Sequence, residues 1–355
     1  MSFSPRIAAF GLATPPGRLN AQQSLAVCEA LAPESVDRSK MTLLSRRTGI
    51  DSRASVVVSN SGGTQRFYES GGNGPTTAGR MAQYELHAGA LAAKACAQAL
   101  ASSGSDASRI SHIVTASCTG FAAPGPDVRI ISELGLSPAV RRLHIGFMGC
   151  HAAINALHSA AALAASQPGA VVLVCCIELC TLHFHYSGRA DHLVCNALFA
   201  DGAAAMVVRH SDDPALPRLA GFSSVLLPNC GDAMGWLIGD HGFEMKLDAS
   251  VPETLAAAIP AWVDGQLAAM GLKRSEVGSW AIHPGGPKVV QAIATALDLP
   301  AGAIAPSLAV LREHGNMSSA TVPFILSRLH EQNAPKPWVA LAFGPGLAGE
   351  MMVLH

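Results

Sequence analysis

Two rhythms of apolar and polar residues run through this chain. Short apolar blocks bounded by turn residues predict strands, as in RIAAFGLA, RISHIVTASC, LHIGFMG, SWAIH and WVALAFG. Stretches with apolar residues every three or four positions predict helices, as in AQYELHAGALAAKACAQAL, VRIISELGL, PETLAAAIPAWVDGQLAAMGL and KVVQAIATALDL. The two kinds alternate, which is the pattern of an α/β protein. The most apolar block, AVVLVCCIELC, carries Glu178 and reads as a buried strand rather than a membrane span.

At 355 residues the chain exceeds the size at which a single core stops growing, so two domains or one doubled fold are expected. The stretch RHSDDPALPRLAGF gathers Asp, Pro and charge between two apolar runs and marks the boundary, giving halves 1–210 and 211–355. On either side of it, ALFADGAAAMVV and LAFGPGLAGEMMVL share a Phe, a glycine turn and a closing apolar run. That echo favours duplication over two unrelated domains.

Composition narrows the class. With 49% hydrophobic and 14% charged residues the protein is heavily buried, and a formal net charge of -1 gives no reason to expect a nucleic acid or an anionic membrane as partner. Nine cysteines at irregular spacing fit neither a disulfide framework nor a zinc site. The N-terminal apolar run is too brief for a secretion signal, so a reducing cytoplasm is the expected compartment.

Three strand-to-helix corners carry reactive residue types. In GFMGCHAAINAL, Cys150 follows a strand ending in glycine and opens a helix with almost no polar face, hence a buried one. The free N–H groups of a helix start favour thiolate and bring a thiol pKa to roughly 3.5–7.5, whereas the bland alternative is a packed structural cysteine. In SWAIHPGGPKVV, His283 ends a short strand before a helix that opens at Pro287. In LREHGNMSSATVPFILSRL, Asn316 precedes a helix with the apolar stripe Val322, Ile325, Leu326 and Leu329, where its ordinary use is an N-cap. Functional side chains of open α/β sheets gather where strands end and helices begin, so the three are expected to meet.

Such a trio suits acyl transfer: Cys150 attacks a thioester while His283 and Asn316 donate to an oxygen on which negative charge develops. With a β-carboxy thioester as second substrate, the same donors stabilise the enolate left by loss of carbon dioxide. No metal or cofactor enters this scheme. A Cys-His-Asn hydrolase uses the same residue types, as does a single-condensation ketoacyl-CoA synthase. The run Gly344–Gly349 spells G-x-G-x-x-G, but too little chain follows it for a dinucleotide site, so it reads as a turn shaping a cavity wall.

GFMGCHAA, ALFADGAAA, IHPGGPKV, EHGNMSSAT and FGPGLAGE together resemble the type III polyketide synthases, the chalcone synthase-like branch of the thiolase superfamily. The resemblance implies a duplicated αβαβα layered fold and a homodimer that joins an acyl-CoA starter to malonyl-CoA, with Cys150 as acyl carrier and His283 and Asn316 as the decarboxylation and oxyanion pair. It also implies that Phe199 gates the passage from the CoA tunnel, that Met245 stands at a second gate where plant relatives often carry Phe, and that Lys40, Arg46 and Arg47 lie near the CoA phosphates. Ala123 stands near the place of the plant methionine that crosses the dimer. Cys180 and His183 fall where the family lines its initiation cavity. They share that cavity only if the chain bends there, since alternate residues of a regular strand face opposite ways. Cys180 gives the chain the look of bacterial alkylpyrone and alkylresorcinol synthases, which release a cyclised pyrone or resorcinol.

Overall fold

The computed structural model describes residues 4–58 and 67–355. The first half runs β1 (Pro5–Ala13), β2 (Arg18–Asn20), α1 (Ala21–Leu31), α2 (Arg38–Arg47), β3 (Ser52–Ala54), α3 (Thr77–Ser103), β4 (His112–Ser117), α4 (Pro126–Leu134), β5 (Arg141–Gly146), α5 (Ala152–Ser166), β6 (Val171–Leu179), α6 (Ala190–Leu198) and β7 (Asp201–His210). The second runs β8 (Leu219–Leu226), β9 (Met234–Gly239), β10 (Gly242–Leu247), α7 (Val251–Ala269), β11 (Ser279–Ile282), α8 (Pro287–Ala296), α9 (Ala305–His314), α10 (Thr321–Glu331), β12 (Trp338–Gly344) and β13 (Ala348–Leu354).

Strand order makes the duplication visible. The first sheet runs β1-β7-β6-β4-β5 and the second β8-β13-β12-β11. In both, the first two neighbouring pairs are antiparallel and the third is parallel. Only β5 has no counterpart. The sequence echo is therefore real at its closing runs, which are β7 and β13, but not at its aromatics: Phe199 follows the inserted helix α6, whereas Phe343 lies inside β12.

Five layers result. Helix α3 covers the outer face of the first sheet, and α7 with α8 covers that of the second. Between the sheets lie α5 and α10, in one core built from Ile154, Leu157, Val322, Ile325, Leu326 and the inward faces of both sheets. Burial on both faces is why β6, Glu178 apart, and β12 are apolar rather than alternating. The alanines of α5, fully buried at 152, 153, 156 and 160, keep that helix slim enough to sit between two sheets. This is the thiolase-like αβαβα architecture.

Candidate active site

The two middle helices begin at one place. The turn Gly149–His151, which precedes α5, packs against the turn Ser318–Ala320, which precedes α10. Gly149 has φ 71°, and a Cβ on it would lie 2.6 Å from Pro345 Cδ, so the turn carrying Cys150 depends on glycine to press against the Gly344–Gly346 turn. Asn316 is no N-cap: it lies five residues before α10, with Ser318 at φ 47° and a 3₁₀ turn between them. A parallel bridge fixes it instead, with the Ala200 N–H donating to the Asn316 carbonyl at 2.9 Å and the Asn316 N–H to the Leu198 carbonyl at 2.9 Å. Its side-chain oxygen accepts from the Ser318 N–H at 2.8 Å, so the NH2 end of the amide remains for the cavity. His283 extends β11, its N–H donating to the Leu341 carbonyl at 2.7 Å, and its ring is buried with neither nitrogen hydrogen-bonded.

Cys150, His283 and Asn316 all line one tunnel of about 340 Å³. Loss of water governs their charge. Burial pushes the Cys150 thiol up to about 12, against the hydrogen bond from Ser318 Oγ at 3.6 Å. Burial, with His151 close by, pushes the His283 imidazole down to about 3. Burial thus opposes the thiolate expected from a helix start. Raising a thiol from 9 to about 12 costs the thiolate about 4 kcal/mol, more than the roughly 0.3–2 kcal/mol a helix terminus supplies. Burial therefore favours a thiol and a neutral imidazole, and neither ring nitrogen of His283 has a protein partner.

Two smaller cavities, of about 40 and 20 Å³, lie beside the tunnel, and Phe199 and Met245 line all three. Cys180 lines both small cavities and His183 the larger of them. Residues Cys180–His183 form a 3₁₀ turn, in which positions three apart lie on the same side, so the bend that lets both face the cavity is present. His183 presents only ring carbon there. Its Nε2 bonds the Thr119 carbonyl at 2.7 Å, its Nδ1 accepts from the Phe243 N–H at 2.9 Å, and the ring stacks on Phe243 at 4.2 Å. At the tunnel's other side Arg47 is part of the wall; Lys40 lies seven residues earlier on the same helix stripe, and neither it nor Arg46 lines the tunnel.

Sequence reasoning missed four residues. Trp236 lines both small cavities and donates to the Cys118 carbonyl at 2.6 Å. Lys288 joins Arg47 in the tunnel wall. Ser318 sits between two thiols, 3.6 Å from Cys150 Sγ and 3.1 Å from Cys118 Sγ. Glu178, raised by burial, is held by Thr119 Oγ1 at 2.7 Å, the Cys118 N–H at 3.1 Å and Ser319 Oγ. The serines stand inside the GNMSSAT motif and were open to inspection; Trp236 lies on a strand, β9, that no apolar rhythm announces. Among the described residues no cluster of His, Cys, Asp and Glu is arranged to hold a metal ion, and no helix is long and apolar enough to cross a membrane.

Comparison with known proteins gives the family. The family models for chalcone and stilbene synthases match at residues 64–214, N-terminal domain, and 219–355, C-terminal domain. The chain belongs to that family, and it is a type III polyketide synthase, an acyl-CoA-condensing transferase. It is 36% identical over 283 residues to the "Alpha-pyrone synthesis polyketide synthase-like Pks18" of Mycobacterium tuberculosis, covering 77% of this chain and 72% of that protein. It is 36% identical over 276 residues to the 1,3,6,8-tetrahydroxynaphthalene synthase of Streptomyces peucetius, covering 75% and 72%. Among solved structures, PKS-I from the brown alga Ectocarpus siliculosus superposes with TM-score 0.95 at 28% identity, over 100% of this chain and 99% of that one.

The buried histidines make stability pH-dependent. His183 and His283 are both held down to about 3, so below about pH 6.5 the unfolded chain binds protons that the folded chain refuses, and stability falls as pH falls. At pH 5 each costs about 2 kcal/mol. Asp201, raised to about 6 by burial, works in the opposite direction below pH 6 without cancelling both. The melting temperature should drop between pH 7 and pH 5. The drop should shrink in His283→Phe, which removes no ring hydrogen bond; an equal drop in both proteins would contradict a neutral His283.

Proposed function

We propose that this synthase carries an acyl starter as a thioester on Cys150 and extends it iteratively with malonyl-CoA. The observation that carries the reading is the meeting of Cys150, His283 and Asn316 in one tunnel wall, with both His283 ring nitrogens free. In this scheme the Cys150 proton passes to His283 as the sulfur attacks the starter thioester, and His283 hands it to the departing sulfur, so that CoA leaves as the thiol and the imidazole is neutral again. Malonyl-CoA then loses carbon dioxide. The electron pair of the broken C–C bond becomes an enolate, whose oxygen receives hydrogen bonds from the His283 ring and the Asn316 NH2. The enolate carbon attacks the acyl carbonyl, and Cys150 leaves as thiolate, ready for the next transfer. The half 1–210 thus supplies the nucleophile and the half 211–355 the two donors.

Phe199 and Met245 act as gates between the tunnel and the inner cavities, whose volumes would admit only a few waters. Cys180 and His183 form the wall of the starter side, His183 by its ring face. Little inner volume favours ring closure after few extensions, hence a pyrone over a resorcinol. On the tunnel side Arg47 and Lys288, the latter at the start of α8, hold the CoA phosphates, Lys40 and Arg46 adding positive charge farther out. A second copy of the chain covers β5, whose outer edge has no strand partner among the described residues and is flanked by exposed Phe121, Phe147 and Met148.

Purified protein given malonyl-CoA and a panel of starters from acetyl to long-chain acyl-CoA should release triketide pyrones from the short starters in preference to the long ones, read by mass spectrometry. Trp236→Ala should shift the products toward one further extension. A single-condensation product would favour a ketoacyl-CoA synthase, and thioester cleavage without malonyl-CoA consumption a hydrolase. Lys288→Glu should raise KM for malonyl-CoA several-fold at little cost in kcat; an unchanged KM removes Lys288 from the CoA site. Sedimentation should give twice the 36.5 kDa chain mass, and a monomer would refute the covered β5 edge.

A further inference from the structure

We propose that Arg53, outside every motif named above, is the positioning residue that locks the Phe199 gate to Asn316. The inference rests on the reading that Asn316 donates to the enolate oxygen.

Arg53 lies in β3, paired with Leu19 of β2, and only 6% of it is exposed. Its guanidinium reaches two partners: Nε donates to Ser24 Oγ at 2.9 Å and Nη1 to the Phe199 carbonyl at 2.6 Å. Its charge faces Asp201, a buried carboxylate that accepts from the N–H groups of Val56 and Thr181, each at 2.8 Å. The carbonyl it grips belongs to the residue between Leu198 and Ala200, the two that form the bridge to Asn316.

Arg53 also backs the other side of that bridge. Gly315 has φ 75°, and a Cβ built on it would lie 2.9 Å from Ala200 Cβ, 3.1 Å from the Leu198 oxygen and 3.3 Å from Arg53 Cβ. The side chain that bonds the Phe199 backbone therefore starts from a stem packed behind Gly315. Phe199 and Asn316 come from opposite halves of the chain, and Arg53 touches both of their segments. Loosening it would act on Asn316 first, because the Leu198 and Ala200 bridge holds the Asn316 backbone directly, whereas the Cys150 turn is reached only through Ser318. A fork of N–H groups serves this purpose and an ammonium does not, because one nitrogen cannot span Ser24 Oγ and the Phe199 oxygen as the planar fork does.

Arg53→Lys keeps the charge opposite Asp201 and gives up one of the two bonds. It should melt within a few degrees of wild type while the amides of Ala200 and Asn316 exchange with deuterium markedly faster. Malonyl-CoA decarboxylation should fall about tenfold to a hundredfold, the scale of a misplaced reacting group. In an Asn316→Ala background the same substitution should change the rate less than about twofold, because its effect passes through Asn316. Equal losses in both backgrounds, or wild-type exchange and rate, would overturn the proposal. Should Arg53→Lys fail to fold, Ser24→Ala frees Nε alone and should give a smaller rise in the same two amides; no rise overturns the clamp. A wild-type protein unable to decarboxylate malonyl-CoA would refute the functional reading, while amide exchange still decides the clamp.

Discussion

Burying two helices between two sheets is the constraint on which this molecule rests. Because the halves repeat the same strand order, α5 and α10 enter the central layer from equivalent positions, and the turns that start them are pressed together. Cys150 stands in one turn and Asn316 just ahead of the other. The site is thus a by-product of duplication: neither half brings these groups together alone, and the apolar core that fixes the helices also fixes the distance between their starts.

The same burial sets the chemistry. Burial at the tunnel end penalises every isolated charge, which raises the Cys150 thiol and lowers His283. Where carboxylates are kept, as at Glu178 and Asp201, they are held by several N–H and O–H donors each. A site that is neutral at rest and lined with fixed donors suits a reaction whose negative charge appears only during turnover, since donors in low dielectric are worth more than in water and need no reorganisation. The proposed enolate is such a charge.

Much of this was written in local sequence. The continuous apolar run of β6, the alanines of α5 and the stripe of α10 announced buried elements because their periods reflect burial directly. Cys150, His283 and Asn316 stood out by position at strand-to-helix corners. What escaped depends on distant contacts: Trp236 lies on a short hairpin, Lys288 merely follows a helix-start proline, and Arg53 is one cation in a polar stretch until Phe199 folds back onto it. The thiol's charge escaped for a related reason, since a helix start is local and desolvation is not.

The most direct test of the account separates the donors from the nucleophile. Cys150→Ala should still release carbon dioxide from malonyl-CoA, because decarboxylation in this scheme needs only His283 and Asn316. Adding His283→Ala or Asn316→Ala to it should cut that release by about 10²–10³. Double variants that decarboxylate as fast as Cys150→Ala alone would contradict the claim that the meeting of the two halves builds an enolate-stabilising site.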